Sequence, residues 1–204
     1  GRMKRHLDLK ADGYICTADD LVHVLLALSV NKSTLQAVCS DLVGTPDPTT
    51  VRGYLNEQLR VDQLAQLEQA FNQALREDIP ARVWRKAQDI AIDLHDRPYY
   101  GKLEQKDGLW VRGQAKDGTT RFYRIATVYL IADGLRFTLD LHFVRPDDDT
   151  VAVLTSLLTQ IKELGLSIRR LLLDRGFASI DVQEYLDQQG IPALICCPIR
   201  GKSG

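Results

Sequence analysis

Cysteine is scarce in this chain, and its spacing excludes the usual cysteine chemistries. Only Cys16, Cys39, Cys196 and Cys197 occur in 204 residues, and no CxxC pair exists. Two adjacent thiols do not chelate one metal easily, so a cysteine zinc site is not expected. The expectation is buried, reduced thiols of a cytosolic protein rather than a disulfide framework. Long apolar runs are also missing. The longest, "LVHVLLALSV" at 21–30, is broken by His23 and is too short to span a bilayer. The first residues, "GRMKRHLDLK", are basic but lead into no apolar stretch, so they do not read as a secretory signal. A charge surplus is absent too. The formal net charge is −1, so any nucleic-acid surface must come from local clusters of Lys and Arg.

What is present suits a packed core. The chain is 45 % hydrophobic and 26 % charged, ordinary values for a globular protein. Its first third reads as helical. Thr17 is placed to cap "ADDLVHVLLALSV", with Asp19 and Asp20 in the first turn, where the helix dipole favours acid. Ser33 is expected to cap "TLQAVCSDL", and Thr49 or Thr50 to restart a helix after Gly44 and Pro46. A fourth helix follows Asp62, with Leu64, Leu67, Phe71 and Leu75 at helical spacing. The outline "STLQAVCSDLVGTPDPTTVRGYLNEQL" suits a helix-turn-helix that presents Arg52 to DNA. It suits an ordinary helical bundle equally well, since Arg52 is the only basic residue on the second helix.

From residue 88 the period changes. "DIAIDLHD" alternates Ile90, Ile92 and Leu94 as a strand does. "PYYGKLEQKDGLWVRGQAKDGTT" is turn-rich and reads as a hairpin or exposed loop. "RFYRIATVYLIA" and "LRFTLDLHFV" read as strands joined at Asp133-Gly134, a hairpin signal. An amphipathic helix with Leu154, Leu157, Leu158, Ile161 and Leu164 follows "RPDDDT", itself expected to be a loop and cap. "IRRLLLD" is a buried strand, "SIDVQEYLDQQG" a helix capped by Ser179, and "PALICCPI" a last strand. The expected order is βββαβαβ, a mixed α/β sheet, over 88–204. An all-helical region occupies 1–87.

Asp93 lies in the first of these strands and Asp174 at the end of the fourth. If those strands are neighbours, two carboxylates converge. Alone they repel and are costly to desolvate. A hard divalent cation with few protein carboxylates, Mg²⁺ or Mn²⁺, resolves the conflict. Each aspartate taken singly is as readily a turn-former or an N-cap. Asp96 competes with Asp93, because "DLHD" offers two acids on opposite sides of an extended segment. Asp93 is favoured because it directly follows the apolar run. His95 is expected beside the site or simply exposed.

The stretches "AIDLHDRPYYGK" at 91–102, "LLLDRGF" at 171–177 and "CPIRGKSG" at 197–204 resemble the DDE-type transposases of bacterial insertion sequences. The resemblance implies an RNase H-like catalytic core over 88–204, preceded by a helix-turn-helix-like region at 1–87. It implies Asp93 and Asp174 as catalytic ligands of Mg²⁺ or Mn²⁺. It also implies DNA as partner, both transposon ends and target; Arg52, Lys102, Arg175, Arg200 and Lys202 are candidates to meet its phosphates, or equally are ordinary solvated or turn residues. Tyr99, Tyr100, Lys116 and Arg121 have a flanking role on this reading, or are a packed turn and solvated charge. A homodimer is compatible with it. A cytoplasmic, nucleoid-associated location and no membrane contact are expected. In such enzymes water attacks a phosphodiester at the transposon end, and the freed 3′-hydroxyl then attacks target DNA. The family's third acid is a glutamate on a helix beyond the fifth strand. Glu184 precedes that strand and does not match, so the sequence is expected to be C-terminally truncated. A non-catalytic DNA-binding remnant that represses transposition is the alternative, and a metal-dependent nuclease of the same fold a weaker one. "GKSG" at 201–204 lacks the upstream glycine of a phosphate-binding loop.

Overall fold

The computed structural model describes residues 1–11, 13–101 and 108–197. The chain divides into two compact units, Gly1–Ala74 and Leu75–Gly204. Among the described residues no single helix is long and apolar enough to cross a membrane.

The first unit is helical: α1 (Arg2–Leu7), α2 (Ala18–Asn31), α3 (Leu35–Asp41), α4 (Pro48–Gln58) and most of α5 (Leu64–Arg76). Thr17 caps α2 as expected, within a reciprocal box. Thr17 Oγ1 accepts from the Asp20 N–H at 3.3 Å, and Asp20 Oδ2 accepts from the Thr17 N–H at 2.8 Å. Two other caps differ from expectation. Thr34, not Ser33, caps α3, accepting from the Ala37 N–H at 3.2 Å. The chain turns at Lys32, whose φ is 49°, and is extended again at Thr34, which is the geometry a cap needs. Asp47, not Thr49 or Thr50, caps α4, accepting from the Thr49 N–H at 2.8 Å. Pro48 then opens the helix, where its missing N–H leaves no donor orphaned. Leu21, Val24, Val38 and Val51 form the centre of the core, with Cys16 and Cys39 buried beside them. Cys196 and Cys197 are exposed, against the expectation of four buried thiols, because they follow the last strand.

Among the described residues the second unit is a six-stranded sheet with two helices packed on it. Its elements are β1 (Gln88–Pro98), β2 (Trp110–Lys116), β3 (Thr119–Ala132), β4 (Leu135–Phe143), α6 (Thr150–Glu163), β5 (Ile168–Leu173), α7 (Ile180–Gln189) and β6 (Ala193–Ile195). The order across the sheet is β2-β3-β1-β5-β6, with β4 also on β3. The β1, β3 and β4 strands run antiparallel, whereas β5 and β6 add in parallel through the α6 and α7 crossovers. Asp133 and Gly134 take φ 53° and 73°, the paired left-handed turn expected there. The extra strand β2 lies in the segment read as a hairpin or loop, and the same turn recurs at Asp117-Gly118. Val153, Leu154, Leu157 and Ile161 of α6 pack with Ile90, Ile92, Val128, Leu130, Leu171 and Leu173, all buried. Each such side chain contributes about 1.5–3 kcal/mol on burial.

A bulge fixes the start of the parallel pair. Gln88 faces Ile168 but Asp89 faces Arg170, so Arg169 is an extra residue. Two successive arginines thereby reach one carboxylate. Arg169 donates two hydrogen bonds to Asp89 at 2.8 Å each, and Arg170 one at 2.7 Å. Asp89 is 5 % exposed. The Arg169 guanidinium, and then that of Arg170, hold its carboxyl well below the usual range, at about 2. A depressed folded-state pKa adds stability above the unfolded value, and that stability is lost as pH falls through the folded one. Both arginines are about half-exposed, so solvent screening trims the effect. Asp89→Asn is expected to cost about 1–2 kcal/mol at neutral pH by urea unfolding. The gap from wild type closes as pH drops from about 4 toward about 2. A gap that is constant with pH would mean that the ion pairs do not contribute.

Candidate functional site

β1 and β5 are adjacent and parallel, and Ile92 opposite Leu173 is their last registered pair. The next residues along the two strands are Asp93 and Asp174. Ile92 and Leu173 are buried, so the aspartates that follow are carried on rigid backbone at the sheet's edge. After Asp174 the chain leaves the strand in a single tight turn, Arg175–Phe177, pinned by the fully buried Phe177. Asp174 caps that turn, its Oδ1 accepting from the Gly176 N–H at 2.9 Å. Space at Gly176 is tight: a Cβ there would lie 3.0 Å from both Asp174 Oδ1 and Leu94 Cδ1, so either side chain would have to give way. Asp174 is half-buried, and burial pushes its carboxyl above the usual range. The negative charge of Asp93 pushes it the same way. The Gly176 and Leu94 N–H groups and the Arg124 guanidinium act against them.

Asp93 keeps a half-exposed carboxylate, with Oδ2 3.4 Å from His95 Nε2. That nitrogen also lies 3.3 Å from Tyr129 Oη, so His95 sits between Asp93 and Tyr129. The Tyr129 ring in turn carries the Arg136 guanidinium at 4.4 Å. Asp96 is engaged elsewhere. It faces Arg124 in the β1–β3 register and accepts two hydrogen bonds from it, at 2.7 and 2.9 Å. Both oxygens are spoken for in a forked pair, which leaves Asp93 as the β1 carboxylate that acts on Asp174. Arg124 had no signal in the sequence, because its place depends on hairpin register.

The donor set is two carboxylates, and the charge of Asp93 disfavours ionisation of Asp174. Among the described residues no cluster of three or more His, Cys, Asp or Glu stands ready for a metal. Two carboxylates suffice for Mg²⁺, which keeps most of its shell for water and phosphate. Asp93 and Asp174 could therefore hold such an ion.

Other expected residues fall in varied places. Arg175 is exposed directly after Asp174, and Arg52 is exposed on α4 of the first unit. Lys102, Arg200, Lys202 and the "GKSG" string lie outside the described residues. Tyr99 is buried against Trp110 and Tyr123, with ring centroids 6.5 and 5.1 Å away. Tyr100 donates to the Asp117 carbonyl at 2.7 Å and ties down the β2–β3 turn. Asp149 caps α6 from the Ala152 N–H at 2.7 Å, so "RPDDDT" is the loop and cap expected of it. Glu184 is exposed on α7.

Comparison with solved structures gives a likeness to a chain of the piggyBac transposase synaptic complex with hairpin DNA. Its TM-score is 0.52 at 13 % identity, and it covers 98 % of this chain and 47 % of that one. The α/β fold is RNase H-like, as in that transposase. The chain spans about half the length of the transposase chain it resembles. A chain of the simian T-cell lymphotropic virus intasome with PP2A regulatory subunit B56 gamma matches at TM-score 0.36, 18 % identity, 68 % of this chain and 47 % of that one. The Mos1 strand transfer complex matches at 0.28, 11 % identity, 90 % and 59 %. Those two weaker scores add nothing to the fold. No protein-family model matches the sequence, and no curated protein matches it significantly.

Proposed function

We propose that this chain is a DDE-type DNA transposase, of the insertion-sequence kind, or a part of one. Asp93 and Asp174 are its catalytic carboxylates and hold Mg²⁺ or Mn²⁺. The observation that supports the reading is the β1–β5 pairing, whose last registered pair, Ile92 and Leu173, is followed on each strand by Asp93 and Asp174. The opposition of their charges, felt at Asp174, is the second support. The fold's likeness to a transposase is consistent with it. When bound, the cation activates water and stabilises the leaving oxygen of an in-line displacement at phosphorus. The chain's own part is orientation. The Gly176 N–H holds one oxygen of Asp174, and burial keeps the carboxylate poorly solvated until a cation arrives. Asp93 stays more open. DNA phosphates are met by the exposed Arg52 and Arg175, and by Lys102, Arg200 and Lys202.

The test is Mn²⁺-dependent nicking of DNA carrying the transposon ends, by the full-length product of the gene. Asp93→Ala and Asp174→Ala are each expected to reduce nicking to background. Undiminished nicking in either variant would sink the site assignment. DNA binding that survives both changes, in a wild-type product that never cleaves, would mark the chain instead as a repressor that occupies transposon ends.

A further inference from the structure

One edge of β3 is shared by two strands. β2 covers its first part, from Thr119 opposite Lys116 to Tyr123 opposite Trp110. β4 takes over at Ile125 opposite Phe143. Arg124, between them, has no registered partner on that edge, and its carbonyl accepts from the Val144 N–H at 3.0 Å. The break leaves a notch of about 680 Å³, whose walls include Trp110, Arg112, Arg124, Arg145 and Pro146. Three arginines on one notch make it strongly basic in a chain with almost no net charge.

Those charges are poorly compensated. Arg124 is held by Asp96, but Arg112 and Arg145 are exposed and have no ion-pair partner among the described residues. Asp148 also lines the notch, and its carboxylate is turned onto the Arg145 backbone N–H at 2.8 Å. Arg112 moreover faces Arg121 directly across the β2–β3 pair. Like charges so placed destabilise a sheet unless an anion lies between or beside them. Arg121 relieves part of this by lying over the Trp110 ring, 5.4 Å from its centroid. Arg124 connects the notch to the aspartates, since its guanidinium holds Asp96 and also acts on Asp174.

We infer that this notch binds the DNA backbone, with Arg112 and Arg145 on phosphates neighbouring the one presented to Asp93 and Asp174. A polyanion matches three arginines on one notch, and Arg124 lies close enough to the site to act on Asp174. The inference rests on the reading of that site as a DNA-processing centre.

The test uses the whole chain with Trp84→Phe, which leaves Trp110 as the only tryptophan. A short DNA duplex is titrated in while Trp110 emission is followed, over a series of salt concentrations. Trp110 emission is expected to change on binding. The slope of log affinity against log salt is expected to fall by about 0.9 for Arg112→Ala or Arg145→Ala, and by about 2 for both together. Arg→Lys at each position retains the slope, which a merely structural role would not require. If wild type binds DNA and the double variant keeps its slope, this inference fails while the proposed function stands. If wild type binds no DNA at low salt, the proposed function fails and takes the inference with it. Tighter binding of an RNA duplex of the same sequence would overturn the assignment to DNA.

Discussion

Asp93→Asn is expected to make the metal-free protein more stable and the Mn²⁺-loaded protein less so. Asp174 is pushed toward its protonated form by burial and by the charge of Asp93. Removing that charge relieves the repulsion while the hydrogen bond from the Gly176 N–H to Asp174 stays in place. For half-exposed groups the gain is about 0.5–1 kcal/mol. With Mn²⁺ at about a hundred times its dissociation constant, wild type gains roughly 2.7 kcal/mol, because the ion binds only the folded state. The variant lacks one ligand and forgoes most of this, so the order of the two proteins reverses. Affinity also depends on pH with a definite sign. The ion competes with the proton on Asp174, whose pKa is raised, so binding weakens on acidification from above the usual carboxylate range. Urea unfolding with and without MnCl₂, at several pH values, measures all of this. A variant that gains as much from Mn²⁺ as wild type would remove Asp93 from the ligand set.

Local features of this fold were legible in the sequence, and long-range register was not. Thr17 and Ser179 cap the helices expected of them, and a cap falls within "RPDDDT" as expected, at Asp149, because a cap needs only the next three residues. The Asp133-Gly134 hairpin and the alternation of Ile90 and Ile92 are equally local. Thr34 and Asp47 displaced the expected caps by one to three residues because the preceding turn decided where the extended residue falls. β2, one arm of the hairpin that the segment allowed, could not be told from a loop for a different reason. It is an edge strand with only Val111 buried, so "WVRGQAK" shows almost no alternation. The order of elements allowed β1 and β5 to be neighbours without requiring it, and their parallel pairing makes Asp93 and Asp174 the residues that follow its last registered pair. The partner of Asp96 did not follow, because Arg124 meets it only through the β1–β3 register. Nor did the bulge that aims Arg169 and Arg170 at Asp89, since a bulge is an exception to the period on which sequence reading relies.

A second bulge supplies the largest stability effect expected of one residue. Val128 faces Asp140 and Tyr129 faces Thr138, so Leu139 is an extra residue in β4. Leu139 and Asp140 are consecutive and both are buried, at 0 % and 1 % exposed. In a regular strand one of them would point out to water. Arg76, the last residue of α5, repairs both consequences. Its Nε donates to the Leu139 carbonyl at 3.0 Å, and its Nη2 to Asp140 Oδ2 at 2.6 Å. Burial still holds the Asp140 carboxyl above the usual range despite Arg76, and Asp140 Oδ1 has no hydrogen-bond partner among the described residues. Arg76→Ala therefore strands a buried carboxylate and a carbonyl together, at an expected cost of about 3–5 kcal/mol at neutral pH. The sign of its pH dependence follows from the raised pKa. The folded variant binds a proton on Asp140 more tightly than the unfolded chain, so its stability recovers as pH falls through that range. Asp140→Asn in the Arg76→Ala background removes the stranded charge and is expected to restore about half of the loss. Unfolding of both single variants and the double closes the cycle. A coupling below about 0.5 kcal/mol would mean that the bulge stands without the arginine.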